Sequence, residues 1–537
     1  MKKKSFIKGA AILAAAGLIS KLFGALFRIP LTNLLPDDGL GLYQMAYPTY
    51  SFLLIISTAG IPTAISKLVA EKIALNNYKE AHRVFALSVR LMLIIGVSIF
   101  IVFSLGSRTI SRMLGNERAF YSILAISPCL IIVPLLSSFR GYFQGMQYMT
   151  PTALSQITEQ VGKFFLGLFL AYLYAPKGAE YGAAAAVAGV TMSEGAALAL
   201  LMGMYRGKRR EIAQNIRRSQ RSLHIESDRS IFMRIIRIAF PITIGASIMP
   251  LVSLADVMIV VNRLRQIGFG KEEATKLYGL LTGSASPLIN FPAVLTVALA
   301  MSLVPAVTES FTSKDFAGVR HKVSAGIRLT MLFGLPAAAG MAILARPICQ
   351  LLYSSLEVKY INITGDLLAV LSVGVLFLTS VQTLTAILQG LNRITVPVKN
   401  LAIGAVFKIL LTYILVGIPG LNVKGAAIGS VVCYGIAALL DMAAVIRYSK
   451  ARIPVMDFFV KPVAATAMMG VCVFFIYRYT FPALGNSKAT LLSILAGVMV
   501  YAIILLLTGT LKKEDMALLP GGDRLSGLLK KIRLLRD

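Results

Sequence analysis

The chain has no tryptophan, three histidines and four cysteines among 537 residues. Cys129, Cys349, Cys433 and Cys472 are far apart and form no CxxC pair, so buried thiols are expected instead of a disulfide framework. The histidines fall in separate predicted loops, and no His or Cys cluster has the spacing of metal ligands. No Ser, His and Asp set converges on one predicted site. The sequence therefore predicts no metal centre, no cofactor and no catalytic residues.

Charged residues are scarce as well. They make up 15% of the chain while apolar residues make up 57%, against about a quarter and about half in soluble domains. Apolar stretches of 18 or more residues recur from end to end, and each is long enough to cross roughly 30 Å of hydrocarbon. The sequence therefore predicts an all-α polytopic membrane protein with about fourteen transmembrane helices. The predicted spans are 5–31, 40–64, 84–106, 121–145, 152–174, 181–205, 238–262, 279–305, 326–346, 361–388, 398–417, 422–446, 460–482 and 488–511.

The basic excess of the chain, a formal net charge of +30, follows the predicted topology. With the N-terminus inside, the cytoplasmic segments hold nearly three times as many Lys and Arg residues as the outward loops. This asymmetry is the positive-inside pattern of membrane proteins, so the charge does not indicate nucleic-acid binding. We expect a multi-pass protein of the bacterial cytoplasmic membrane with both termini in the cytoplasm. Membrane lipids are expected as neighbours of the chain, and the basic loop at 206–237 is expected to be solvated, with contact to anionic lipid headgroups as the alternative.

An internal repeat relates the two halves of the chain. Residues 144–163 and 389–408 both begin with Gln-Gly, continue with Thr and Pro, and end in a lysine. A second echo, Gly-Ala-Ala, begins at Gly182 and again at Gly425. Each repeat holds six predicted spans, an even number, so the repeats are parallel. We predict two six-helix lobes and a C-terminal helix pair: an N-lobe at 1–205, a basic linker at 206–237, a C-lobe at 238–446, spans thirteen and fourteen at 447–511, and a cytoplasmic tail at 512–537.

Basic side chains inside the predicted spans form a candidate anion site. Inserting one charged side chain at mid-membrane costs roughly 2.5–3.5 kcal/mol on insertion scales, so the presence of each such residue calls for an explanation. Lys21 and Arg28 lie on one face of span 1, and Lys163 in span 5 is the repeat mate of Lys408 in span 11. Snorkelling to the interface is the alternative for Arg28. An i,i+4 ion pair with Glu159 is the alternative for Lys163, which makes Lys408 the better ligand candidate.

Two arginines and two acids complete the candidate site. Arg90 and Arg328 are repeat mates near the cytoplasmic ends of their spans, where snorkelling is again the alternative. Glu194 in span 6 and Asp256 in span 7 are deep acids that we predict to bind a coupling ion. Neutralisation of a cavity lysine is the alternative for Asp256. The cavity is net positive, which suits phosphate or diphosphate and does not suit a cationic drug.

Two sequence runs resemble a known family. They are GLGLYQMAYPTYSFLLIISTAGIPTAISKLVAE at 39–71 and RGYFQGMQYMTPTALSQITEQV at 140–161. Both are similar to the stage V sporulation protein B group of polysaccharide-biosynthesis-type transporters, within the multidrug/oligosaccharidyl-lipid/polysaccharide flippase superfamily. The resemblance covers essentially the whole chain. It implies two lobes, alternating access, an undecaprenyl-pyrophosphate-linked sugar such as lipid II as cargo, and cell-wall synthesis proteins as partners.

The lipid II flippase branch of that superfamily carries cationic residues in its first span after a Ser and before a Gly. Ser20-Lys21 followed by Gly24 resembles that pattern. The chain departs from the branch in span 8, where Ser286-Pro287 replaces an arginine that precedes Phe-Pro. Asp256 falls in the span where some relatives place an acid for sodium binding. Lys408 occupies the span expected to hold the other acid, so the resemblance does not carry sodium coupling over.

Three functional classes compete at this point. The leading hypothesis is a flippase for a lipid-linked oligosaccharide used in peptidoglycan, spore cortex or polysaccharide synthesis. The alternative is a multidrug or small-molecule cation-coupled antiporter of the same fold, which predicts acids lining a cavity that is mostly basic here. A membrane enzyme such as a glycosyltransferase would need paired carboxylates or an Asp/His site on a long loop, and the sequence shows neither.

Overall fold

The structure of the chain is a computed structural model. It describes residues 12–13, 15–17, 19–20, 22–24, 26–35, 38–217, 219, 226–451 and 456–508. Lys21, a predicted site residue, lies outside the described residues. Helices and turns make up the backbone in these ranges, with no strand among them. The predicted all-α class is therefore confirmed.

The chain divides into two compact units, Met1–Gly279 and Leu280–Asp537. The helices of unit 1 are α1 Arg28–Leu34, α2 Gly39–Thr58, α3 Ile61–Ala74, α4 Tyr78–Met113, α5 Phe120–Ile126, α6 Cys129–Gly145, α7 Thr150–Tyr174, α8 Ala179–Gly207, α9 Arg209–Arg217, α10 Asp228–Gln266 and α11 Lys271–Gly279. Those of unit 2 are α12 Ser286–Thr312, α13 Phe316–Ile343, α14 Ala345–Leu352, α15 Val358–Gly390, α16 Thr395–Val416, α17 Lys424–Ser449 and α18 Lys461–Leu507.

Among the described residues, 11 helical segments are long and apolar enough to cross a membrane, or up to 12 if a bent pair at Lys271–Val294 and Leu299–Thr312 forms one span. The predicted count of fourteen is not confirmed. Helix α7 is outside the 11 because polar residues such as Glu159 and Lys163 lower its mean hydropathy. Predicted spans thirteen and fourteen fall in one segment, Phe458–Leu507. This segment bends at Gly485, whose φ of 69° favours glycine.

Small residues bring the helices of unit 1 close together. A Cβ added at Gly189 of α8 would lie 2.5 Å from the backbone of Gly167 in α7, and such positions let helix backbones approach in a membrane. Helix α10 packs against α2 and α3. Its contacts therefore place it in unit 1, whereas the repeat assigns residues from 238 onward to the second lobe. The lobe boundaries drawn from the repeat stay a prediction.

Unit 2 is built around α15, which packs against α12, α13, α14 and α17. The hydroxyl of Thr330 in α13 hydrogen-bonds to that of Thr383 in α15 at 2.6 Å. The hydroxyl of Tyr501 in α18 donates to the carbonyl oxygen of Leu332 at 3.0 Å. Hydrocarbon contains no water that could hydrogen-bond to these polar groups, so hydrogen bonds between helices help to fix the helix packing.

Candidate functional site

Lys163 of α7 lies among aromatic rings in unit 1. Its Nζ is 5.2 Å from the ring centroid of Phe27 and 5.3 Å from that of Tyr47. The negative faces of such rings attract an ammonium group. Tyr43 extends the cluster, with its ring centroid 5.0 Å from that of Tyr47. Because the rings carry no net charge, they hold the lysine in place without neutralising it.

Arg28, the first residue of α1, belongs to the same cluster. Its positive charge acts on Lys163 and on the hydroxyls of Tyr43 and Tyr47. Both basic side chains are partly buried. Arg28 of span 1 is thus within electrostatic range of Lys163 of span 5, and the two charges form a cationic centre in unit 1.

Glu159 of α7 pairs with Arg140 of α6. Its Oε2 accepts a hydrogen bond from Nη2 of Arg140 at 3.0 Å, and its Oε1 accepts one from Gln160 at 2.8 Å. Nε of Arg140 also donates to the hydroxyl of Ser155 at 2.9 Å. Both oxygens of Glu159 therefore have hydrogen-bond partners other than Lys163. The charge of Glu159 still acts on Lys163, but the salt bridge of this acid within the described residues is with Arg140, which becomes a further functional candidate.

Glu194 of the neighbouring helix α8 is a second acid whose charge acts on Lys163. Its side chain is buried, and its carboxyl lies within hydrogen-bonding reach of the Glu159 carboxyl. The charges of Arg140 and Lys163 also act on it. Two carboxyl groups this close repel each other when both are ionised.

The remaining described site residues are distributed over both units. Arg90 is exposed on α4, whereas its repeat mate Arg328 in α13 is only 6% exposed and lies 5.9 Å from the ring centroid of Phe458. Lys408 is buried in α16 of unit 2. Asp256 is half-buried on α10. Repeat mates in the sequence therefore occupy different environments in the fold.

An ion-pair cluster joins four segments at one end of unit 1. Arg118 contacts Asp38 at 3.2 Å and Glu272 at 3.0 Å, and its Nε donates to Glu180 at 3.0 Å. Asp38 is 1% exposed, so its charge needs such a partner. Arg118 thereby links the starts of α2, α8 and α11 to the turn before α5.

A second ion-pair cluster lies at the first turns of α10. Its pairs join the segment at 226–234 to α3 and α4 and are Lys72–Glu226 at 3.2 Å, Arg234–Glu226 at 2.8 Å, Arg234–Glu71 at 2.8 Å and the contact between Arg83 and Asp228. Ion pairs thus attach the start of α10 to α3 and α4. The next helix, α11, is attached through the ion pair of Glu272 with Arg118.

The comparisons with known proteins agree with this architecture. The family model described as "Polysaccharide biosynthesis protein" matches residues 6–311, and the model "MatE" matches residues 282–414. Fold and family models together define a multi-pass membrane transporter of the flippase and multidrug-transporter superfamily. The chain belongs to the polysaccharide biosynthesis protein family. The family predicted from the two sequence runs is thus confirmed.

The similar proteins include flippase-type relatives and, among solved structures, a multidrug transporter. Stage V sporulation protein B of Bacillus subtilis (strain 168) is 29% identical over 97% of this chain and 98% of its own length. Lipid II flippase MurJ of the same organism is 25% identical over 81% of each chain. A structure of "Lipid II flippase MurJ, inward closed conformation" superposes with a TM-score of 0.70 at 17% identity, covering 92% of this chain and 98% of that one. An inward-facing multidrug resistance MATE family transporter gives 0.65 at 17% identity, covering 80% and 94%. The two structures show the fold alone.

Proposed function

We propose that the chain flips an undecaprenyl-pyrophosphate-linked sugar precursor, lipid II or a related lipid-linked oligosaccharide, from the inner to the outer leaflet by alternating access. The observation that carries this proposal is the cationic centre of Arg28 and Lys163 among aromatic rings. Arginine and lysine bind phosphate oxygens through charge-assisted hydrogen bonds. A diphosphate is the part of such a substrate that this centre fits.

The charge balance of the cluster supports an anionic substrate. Arg28, Arg140 and Lys163 contribute three positive charges, whereas Glu159 and Glu194 contribute at most two negative charges. The excess is positive and partly shielded from water, which strengthens Coulomb attraction. A cationic drug would be repelled by the same excess.

Further cations are proposed to bind the substrate. Unit 2 supplies Arg328 and Lys408, which are buried at 6% and 9% exposure. Buried cations in a membrane protein indicate function because their insertion is costly. Lys21 and Arg90 keep a proposed substrate-binding role on their sequence positions alone. The resemblance to a lipid II flippase, 25% identical, supports the same substrate class.

Glu194 and Asp256 are the proposed ion-coupling residues. For Glu194 the proposed ion is a proton shared with Glu159, because the two carboxyl groups lie within hydrogen-bonding reach of each other. The charges of Arg140 and Lys163 also act on Glu194. Arrival of a diphosphate beside Lys163 adds negative charge and holds that proton more tightly. Departure of the substrate then favours its release, which links proton binding to transport.

The proposed setting is the bacterial cytoplasmic membrane, with both termini in the cytoplasm. The positive-inside distribution of Lys and Arg supports this topology. Membrane lipids and cell-wall synthesis proteins are the proposed neighbours, and the flipped precursor would serve peptidoglycan, spore cortex or polysaccharide synthesis.

A complementation experiment tests the proposed cargo. Cells depleted of their own lipid II flippases express the chain, and lipid II at the outer surface is quantified with a membrane-impermeant label. We expect exposure to be restored by the wild type and by Lys177→Ala, which removes an exposed lysine 4.4 Å from the ring of Tyr174. We expect it to be lost with Lys163→Ala. No restoration by well-expressed wild type would contradict lipid II as the cargo.

The second candidate is a multidrug or small-molecule cation-coupled antiporter. The match of residues 282–414 to the MatE family and the buried acid Glu194 favour it. It predicts that Glu194→Gln abolishes drug efflux from cells that lack their own pumps. Efflux by the wild type that vanishes in this variant, without lipid II exposure, would replace the leading proposal with this one.

A further inference from the structure

Asp441 of α17 is a buried acid in unit 2 whose environment differs from that of a structural ion pair. The residue is 1% exposed. Its Oδ1 accepts a hydrogen bond from Nδ2 of Asn400 in α16 at 2.7 Å. Its Oδ2 is buried and has no hydrogen-bond partner within the ranges that the structure describes. One carboxyl oxygen is therefore anchored by a hydrogen bond, and the other is buried without one.

No positive charge compensates this carboxyl among the described residues. Helix α17 packs against α13, α15 and α16, which carry basic residues such as Arg328, Lys399 and Lys408. None of them, and no other charged group of these helices, acts on the carboxyl; the group that faces it is the amide of Asn400. Along α16, Lys408 is eight residues beyond Asn400, or ~12 Å at 1.5 Å per residue.

Apolar packing surrounds the segment of α17 that carries Asp441. Val445, one turn after Asp441, belongs to a buried apolar cluster that includes Leu388 of α15, and Met442 packs against it. An ionised carboxylate without a counter-charge is strongly disfavoured in such surroundings, and a buried carboxyl group takes up a proton instead. The neutral acid keeps the hydrogen bond from Asn400 through its carbonyl oxygen.

We propose that Asp441 is a proton-binding site of unit 2, which holds a proton in this conformation and releases it when the packing of α16 on α17 opens. In the release step the carboxyl O–H gives its proton to a water molecule, and the carboxylate left behind keeps the Asn400 hydrogen bond. Its coupling to transport rests on the proposed flippase function. The proton binding itself does not.

The internal repeat places an acid at a related position in unit 1. Gly182 and Gly425 are 243 residues apart, so Glu194 corresponds to Ala437, and Asp441 lies one helical turn beyond it. Glu194 faces Glu159 on the preceding helix, and Asp441 faces Asn400 on the preceding helix. Each unit therefore carries a buried acid on the sixth helix of its repeat, directed at the fifth.

Infrared spectroscopy of the full-length protein in lipid bilayers tests the proton directly. A protonated carboxyl group has a C=O stretching band that an ionised one lacks. We expect this band at pH 7, well above the ordinary aspartate pKa of about 4, and we expect part of it to vanish in Asp441→Asn. The matched control is Glu309→Gln, which removes an exposed carboxylate and should leave the band unchanged. An identical band in the wild type and Asp441→Asn would overturn the proposal.

A second variant keeps the proposal testable if Asp441→Asn fails to fold. Asn400→Ala preserves the acid and removes its hydrogen-bond donor, so the C=O band should move to higher frequency; no movement would contradict the assignment. Coupling is read from proton movement in vesicles that carry out flipping. Fewer protons moved per substrate in Asp441→Asn than in the wild type supports the coupled role, and an unchanged ratio overturns it. If the wild type flips no substrate but its C=O band still changes in Asp441→Asn, the proposed function is refuted. The proton-binding site is supported in that case.

Discussion

The Glu159 carboxylate accepts a hydrogen bond from Arg140 at 3.0 Å, across the contact between α7 and α6. The pair is largely buried, with side-chain exposures of 19% and 16%. The pair hydrogen-bonds the acid nearest in sequence to Lys163 to a neighbouring helix, while the ammonium group of that lysine lies over the rings of Phe27 and Tyr47.

Loss of Arg140 is expected to destabilise unit 1. Arg140→Gln leaves Glu159 beside Glu194 without its cation, and breaking such a pair costs roughly 2 kcal/mol when it is not fully buried. Thermal unfolding of the purified protein measures the effect. Arg112→Gln is the control, since Arg112 and Glu117 form a pair at 3.5 Å that is 67% and 61% exposed, and such pairs contribute about 0–1 kcal/mol. Equal losses of stability in both variants would contradict the role given to Arg140.

The cluster around Arg118 is expected to hold one end of unit 1 together. Arg118→Gln removes the Arg118 cation from the buried carboxylate of Asp38, so the starts of α2, α8 and α11 should open more often. Amide hydrogen exchange in these segments should become roughly tenfold faster, which corresponds to about 1.4 kcal/mol. Arg112→Gln serves again as the control. Unchanged exchange rates in Arg118→Gln would show that the cluster does not restrain this end.

Transport is expected to depend on pH through Glu194. Raising the pH removes the proton shared with Glu159, adds a negative charge to the site and weakens attraction for a diphosphate. Transport by the wild type should therefore fall as the pH rises. Glu194→Gln stays neutral at every pH, so its transport should persist at high pH. Flipping rates in vesicles across a pH series measure this, and superimposable profiles for the two proteins would rule out the shared proton.

The sequence predicted the class of fold well and the details of the site less well. Apolar runs identify membrane helices because crossing hydrocarbon requires them. They do not fix the count, since α7 is too polar in its first half and α18 carries two predicted spans across the bend at Gly485. The family was recognisable from the runs at 39–71 and 140–161, and the family model matching 6–311 confirms it.

The partners of the charged residues could not be predicted from the sequence. The i,i+4 rule describes neighbours on one helix, whereas Glu159 takes its cation from another helix. Helices in a membrane are apolar on nearly every face, so the pattern gives little indication of which face is buried. For this reason the repeat mates Arg90 and Arg328 looked equivalent, although one is exposed and the other buried.

The central claim is that the cationic centre at Lys163 binds the diphosphate of a lipid-linked sugar. Its most direct test reconstitutes the purified chain in vesicles with a fluorescent undecaprenyl-diphosphate sugar and measures the flipped fraction with a membrane-impermeant quencher. We expect Lys163→Ala to slow flipping by roughly 10-fold to 100-fold, the value of a charge-assisted hydrogen bond. Lys163→Arg should retain part of the rate, and Lys177→Ala should match the wild type. Wild-type flipping by Lys163→Ala would contradict the claim.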